Sequence, residues 1–434
     1  MIRLPKNRPS VEIVGFKKSV AIFAILMVLA GGAYAFAASS GGKCAKVGLT
    51  QKTKGVTYIC MKSSAKLVWA KDTASISACK LPVADGRGDI SIGGWPRIVE
   101  RLQTTGTVVA TVIMVDFSDA PATMSPQAAF AKISAATATF SEVSYGLLNY
   151  SFNPQYKWYR MSKPSTQYAP LSRSFDTQRE YIVEAAELAD PEVDFSSTQS
   201  IIVLANPDAS GIGMAGPAFS PTGNDGITLD GKNISNGATS AFDLNDWKSI
   251  WLNHEVTHTM GLVDFYSFTT ENSNNIYDGH RFVGEFSYMG LSSFDSNAPS
   301  LLAFERWNLG WLDDTQIICS SKNEIRQLIT PVEVADGIKA VIVPLSRTKA
   351  LVVESRRAIG LDSKMTKSGA LVYTVDSSVQ SGNGPVRVYP SSVSTDPRYL
   401  QSPRAIGESV TVDGITVTVT ASDSSGDTVT IQRP

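Results

Sequence analysis

The chain has 434 residues, 43% of them hydrophobic and 18% charged, with a formal net charge of −1. These are globular values with ample material for a core, and the length suggests two or three domains. The balanced charge supplies no basic field, which argues against a nucleic-acid partner.

Residues 1–38 read as an export signal. Arg3, Lys6, Arg8, Lys17 and Lys18 precede an apolar run from Val20 to Ala38, within which Ala33-Tyr-Ala35-Phe-Ala37 offers small-x-small cleavage sites. The run is nearly long enough to cross a bilayer, so a retained membrane anchor is the alternative. Gly31-Gly32 and the Ala-rich end favour cleavage because they weaken a spanning helix. Either way, the basic flank places the remainder outside the cytoplasm, secreted or on the outer face of the cell envelope.

Residues 39–80 read as a small module. Cys44–Gly48, Gly55–Cys60 and Leu67–Trp69 suggest a two- or three-stranded hairpin too short for a core of its own. A Cys44–Cys60 disulfide is the staple such a unit needs. Of the four cysteines, Cys79 and Cys319 then remain to tie the entry of the following domain to its exit. A sharper alternative makes Cys79, followed by Lys80-Leu81-Pro82, a thiolate that plugs a metal site in a latent enzyme and leaves Cys319 unpaired.

The next domain is expected over 81–320. Residues 81–96 read as a linker rich in Gly and Asp. Gly106–Phe117 is a buried strand by its β-branched run. Ser125, as N-cap, and Pro126 open a helix. Tyr145–Tyr159 is aromatic-rich and extended, a second helix covers about Thr177–Ala189, and Ser200–Leu204 is another buried strand. Asn206–Gly237 turns to Gly, Asn, Asp and Ser, a loop long enough to be functional. It reads as the rim of a cleft, with Gly226–Asp230 as an edge strand along which an extended peptide could lie. Its acidic and amide groups are also of the kind that hold calcium, but without EF-hand spacing a solvated loop is the simpler reading.

A helix starting near Asp243 or Asn245 carries Trp247, Trp251, His254 and His258 as one stripe. Its end has the pattern His-Glu-x-x-His-x-x-Gly-x-x-Asp, from His254 to Asp264. Imidazoles at i and i+4 share one helix face and can reach one zinc ion, with Glu255 between them turned toward its water. Gly261 suits a left-handed helix end, after which Asp264 can return as a third ligand. Three protein ligands leave the open position of a catalytic zinc. The chain has only three histidines, and the third, His280, is the rival ligand. Further on, Ala298–Trp311 reads as a helix started by Pro299 and stopped by Gly310.

Beyond residue 320 the period changes to two. Val341–Pro344, Ala350–Glu354 and Ala370–Val375 are strands, and Val410–Val417 is a hairpin turning on Asp413-Gly414. Residues 321–434 are therefore an all-β, sandwich-like module. The fold class is α+β.

The motif at His254–Asp264, followed by Ser287-Tyr-Met289-Gly290 and Pro299…Leu309-Gly310-Trp311, resembles the secreted bacterial zinc proteases of the immune inhibitor A family, which are metzincin-like. The likeness extends to Val115-Asp116-Phe117, Ser144-Tyr145-Gly146, Asp190–Phe195 and Val353-Glu354-Ser-Arg356. It covers about residues 95–434 and leaves out 41–80. The resemblance implies a metzincin-like protease domain in which His254, His258 and Asp264 bind Zn2+, Glu255 is the catalytic carboxylate, and Met289 forms the turn beneath the metal. The Tyr that some metzincins carry two residues after that methionine is replaced by Leu291, which leaves Tyr266, Tyr277 and Tyr288 as candidates for assisting the oxyanion. The expected activity is hydrolysis of a protein or peptide by an activated water with Glu255 as general base. A zinc hydrolase of a non-protein envelope substrate, and an exported binding or adhesion module with a vestigial site, are the rivals. The intact Glu255 speaks against the last.

Overall fold

The computed structural model describes residues 38–434 apart from 40–41, 47–48, 55, 64–65, 72–75, 84–93, 215, 276, 291–295, 297–298, 392–394 and 396. The expected export signal and most of the expected linker lie outside the described residues. The fold is mixed α+β, with sheets predominating.

A small antiparallel sheet comes first: β1 (Thr50–Thr53), β2 (Val56–Ser63) and β3 (Lys66–Lys71) in sequence order. The expected Cys44–Cys60 disulfide joins it to the segment before it. Cys79 pairs with Cys319, as expected from the count, so the reading of Cys79 as a free thiolate plug is overturned. That bond closes a loop of 240 residues. Its chief effect is on the unfolded chain, and a Cys79→Ser/Cys319→Ser double variant is expected to lose about 2–4 kcal/mol of unfolding free energy in urea melts.

The central sheet contains β4 (Gly106–Asp116), β5 (Leu148–Arg160), β6 (Ser200–Ala205), β7 (Ala218–Phe219) and β10 (Gly237–Thr239), in the order β5-β4-β6-β10-β7. All pairs are parallel except β10–β7. Parallel strands are covered on both faces, which is why β4 and β6 read as unbroken apolar runs. From β4, Val108, Ala110, Val112 and Met114 point to one face, toward helices α1 (Pro126–Ala131), α2 (Ala136–Val143) and α5 (Leu244–Met260). Ile113 and Val115 point to the other, toward α4 (Phe175–Ala189), beyond the short α3 (Ser165–Tyr168). The caps follow their chemistry: Ser125 accepts from Ala128 N and Ser174 from Thr177 N.

Two expectations fail locally. Gly226–Asp230 is not an edge of the central sheet: β8 (Ile227–Leu229) pairs only with β9 (Lys232–Ile234), in a separate hairpin turning on Asp230-Gly231. The edge strands are β5 and, at the end beyond β10, β7, two residues that carried no periodic signal. The helix expected from Pro299 begins instead at Ala303, as α6 (Ala303–Asn308). Residues 299–302 stay extended because buried partners claim their backbone: Ser300 N donates to Asp362, while Ser300 O and Leu301 O accept from Arg356.

The rest is β. A five-stranded sheet runs β11 (Ile317–Cys319), β13 (Ala340–Pro344), β14 (Lys349–Arg356), β15 (Gly369–Asp376), β16 (Val386–Val388). A four-stranded antiparallel sheet runs β12 (Glu324–Ile329), β19 (Gly426–Gln432), β18 (Ile415–Asp423), β17 (Ser409–Val412). Period two sets the packing. Val341, Leu351, Val353 and Val372 face the four-stranded sheet, where Ile329, Val417, Val419, Val429 and Ile431 meet them. Ile342, Val352, Leu371 and Tyr373 point the other way and join the same apolar cluster as α5 and the central sheet. The 321–434 segment thus shares a core with the segment before it.

Candidate metal centre

Helix α5 places the motif. Its C-terminal half is regular and ends at Gly261 with φ 110°, the left-handed cap that the sequence implied. Its first turn is not continuous with the rest: Lys248 sits at φ 48°, ψ −130°. The expected four-residue stripe is therefore broken. Trp251 is buried and donates from Nε1 to Gly216 O, whereas Trp247, before the kink, is 37% exposed. Asp243 does not cap the helix either: its carboxylate accepts from Gly216 N and Ala241 N, and burial pushes it up to about 6.

After Gly261 the chain turns back and brings Asp264 to the histidines. Asp264 Oδ1 lies 3.0 Å from His254 Nε2 and 3.2 Å from His258 Nε2, and the two Nε2 atoms are 3.0 Å apart. Each imidazole is oriented by its other nitrogen. His254 Nδ1 lies 2.6 Å from Tyr288 O, and His258 Nδ1 lies 2.7 Å from Leu262 O. A carbonyl oxygen only accepts, so both Nδ1 atoms carry hydrogen, and in the neutral rings both Nε2 atoms present lone pairs. Two ring nitrogens and a carboxylate oxygen therefore converge as three acceptors. Ligands about 2.0–2.1 Å from a tetrahedral zinc lie about 3.3 Å from one another, so the set fits that ion. Burial alone pushes the Asp264 carboxyl up, but with the rings protonated the neighbouring His258 and His254 outweigh it and hold the group well below the usual carboxylate range.

His280 is not part of this group. It is buried, with Nδ1 3.2 Å from Gly284 O. Among the described residues, no second group of three such side chains forms, in the 206–237 loop or elsewhere.

Glu255 faces a cavity of about 90 Å3 lined by Trp247, Ile250, Trp251, His254, Tyr266 and Gly290. Burial pushes its carboxyl up to about 8; Asp264 and Asp243 add to the shift, and His254 and the Ala218 N–H oppose it. Ala218 belongs to β7, so the sheet edge lies directly against the carboxylate. A groove of about 600 Å3 continues along this edge past Ile98, Arg101, Phe175, Pro217 and Ser220.

Met289 is fully buried, in a turn built on Ser287 at φ 77°. Met289 N donates to Ser287 Oγ, Met289 O accepts from Phe265 N, and the turn's Tyr288 carbonyl is the one that orients His254. Ser287 Oγ in turn donates to Glu305 Oε1 on α6. Of the three tyrosines, only Tyr266 lines the cavity. Tyr288 is buried with its hydroxyl beside Thr257 Oγ1, and Tyr277 lies under the Arg398 guanidinium.

Sequence reasoning missed Ala218, the Ser287–Glu305 contact and Ser381. Ser381 Oγ accepts from Asp264 N at 3.0 Å and donates to Asp264 Oδ2 at 3.1 Å. It lies 117 residues further along the chain, and no local pattern signals it.

The chain matches no protein-family model and no curated protein.

Proposed function

We propose that the chain is an exported zinc-dependent endopeptidase of metzincin-like type, similar to the immune inhibitor A proteases. The observation that carries this reading is the convergence of His254 Nε2, His258 Nε2 and Asp264 Oδ1 within 3.2 Å of one another, with Glu255 at the neighbouring cavity. Three mutually repelling acceptors are held together when a cation lies between them. The two sheets after residue 320, packed face to face, support the sandwich-like reading of the C-terminal module. The two disulfides support a working place outside the cytoplasm. Among the described residues no helix is long and apolar enough to cross a membrane.

A zinc ion bound there supplies a Lewis acid that acidifies water and polarises a scissile carbonyl. The chain does the rest. The main-chain edge at β7 offers an extended peptide a strand to add to, beside Glu255. Glu255 takes the proton from the attacking water and hands it to the departing amine. Burial, then the charges of Asp264 and Glu255 and a hydrogen bond to Asp264 raise the Tyr266 hydroxyl, so it remains a proton donor in the wall of the cavity. It is the group placed to stabilise the developing oxyanion. Tyr266→Phe is expected to lower kcat about 10²–10³-fold with unchanged zinc content and KM. A variant with wild-type kcat would remove Tyr266 from the mechanism.

The test of the reading is zinc stoichiometry and casein hydrolysis by the purified exported protein, with and without a chelator. One zinc per chain and chelator-sensitive cleavage are expected. One zinc without cleavage of casein or unfolded protein points to a non-protein envelope substrate, and no zinc at all overturns the metal reading.

A further inference from the structure

We infer that Ser381, on the β15–β16 loop, is the positioning residue for the third metal ligand, so that the C-terminal β-module is a working part of the metal centre and not an appendage. The inference rests on the metal reading proposed above. Two ligands stand on one helix and are fixed by its geometry. Asp264 stands after the helix has ended, and its orientation needs another source.

That source is the loop after β15. Ser381 Oγ accepts from Asp264 N at 3.0 Å and donates to Asp264 Oδ2 at 3.1 Å. The next residue continues the contact through its main chain: Gly382 N donates to Asp264 O, and Gly382 O accepts from Phe268 N. Gly382 has φ +71°, and a Cβ there would stand 2.2 Å from the Phe268 ring, so a bulkier residue could not approach this closely. The loop thus grips residues 264–268 from both ends.

The hydroxyl settles which carboxylate oxygen faces the histidines. Oδ2 is engaged by Ser381, while Oδ1 lies 3.0 and 3.2 Å from the two Nε2 atoms. A donor held on Oδ2 keeps Asp264 a one-oxygen ligand and leaves a coordination position open for substrate. Without it the carboxylate can rotate and offer both oxygens. Hydrogen bonds of this kind, one step removed from the metal, orient ligands and tune affinity.

The test uses the full-length exported protein. Zinc affinity is measured by competition with a chromogenic chelator, and coordination by the visible absorption of the cobalt-substituted protein. Ser381→Ala is expected to weaken zinc binding about 10–100-fold and to change the cobalt spectrum. Its kcat should fall with little change in KM, and Ser381→Thr, which keeps the hydroxyl, should recover much of the affinity. Ser378→Ala, in the same loop but with its hydroxyl on Asp376, is expected to bind zinc like the wild type. Equal affinity and an unchanged cobalt spectrum in Ser381→Ala would overturn the inference while the metal reading stands. So would an equal loss in Ser378→Ala, which would mark a general effect on the loop. A wild-type protein that binds neither zinc nor cobalt would overturn the metal reading itself.

Discussion

Glu255→Gln is expected to lower the rate of peptide hydrolysis about 10²–10⁴-fold while the protein retains its zinc. The amide keeps the shape of the carboxylate and one acceptor oxygen but has no proton affinity to draw a proton from water. Glu255 is not one of the three converging acceptors, so its replacement leaves His254, His258 and Asp264 in place. Its surroundings suit a base that must also give its proton back. Burial pushes its carboxyl up to about 8, and a cation held by the adjacent ligands would draw it down again. The measurement is casein cleavage beside metal content on the same preparation. Cleavage at the wild-type rate would refute the mechanism. Loss of both cleavage and zinc would instead show that Glu255 holds the metal site together.

The second large effect is structural. Arg356→Met is expected to lower unfolding free energy by about 3–5 kcal/mol in urea melts. The Arg356 guanidinium is fully buried with the carboxylates of Glu354, Asp362 and Glu333 around it. Burial pushes the Glu333 carboxyl up, toward its neutral form, and the Arg356 charge opposes the shift. The remaining carboxylates depend on Arg356 as their buried counter-charge. Removal of the cation alone leaves them in a low-dielectric interior without compensation. The same side chain accounts for the extended backbone at 299–302, since it donates to Ser300 O and Leu301 O. Glu354 meanwhile accepts from Ala303 N at the start of α6. Arg356 therefore links β14 to the helix whose Glu305 holds the methionine turn, and zinc affinity should weaken along with stability. A loss under about 1 kcal/mol would mean that the cluster is balanced without it.

Much of this arrangement could be read from the residues. Buried strands β4 and β6, the capped helices α1 and α4, the Asp413-Gly414 hairpin and the alternating strands after residue 320 follow from local rules, because each is a one-dimensional pattern of side chains. The unbroken apolar runs of β13, β14 and β15 also fit a five-stranded sheet buried on both faces. Local rules failed where a partner far along the chain supplied the deciding bond. The 299–302 segment looked like a helix start and is extended because Arg356 and Asp362 occupy its backbone. The Trp stripe was broken by the turn at Lys248, which helical spacing cannot foresee. The sheet edge beside Glu255 is Ala218–Phe219 and not Gly226–Asp230, because a sheet edge is defined by which strand lacks a neighbour and not by its composition.

The sequence by itself determined the spacing of His254, Glu255, His258, Gly261 and Asp264, since one helix and its left-handed end need only local geometry. It also favoured Cys44–Cys60 as the staple of a small hairpin, but the structure excluded the reading of Cys79 as a free thiolate by pairing it with Cys319. Only the tertiary structure places Asp264, and not His280, beside His254 and His258, because that depends on where the chain goes after the helix. Only it sets Tyr266, of the three tyrosines, at the cavity beside Glu255 and brings Ser381 to Asp264 and the Tyr288 carbonyl to His254. Those contacts join residues tens to more than a hundred positions apart, and such distances are closed by packing of whole faces, which no short pattern encodes.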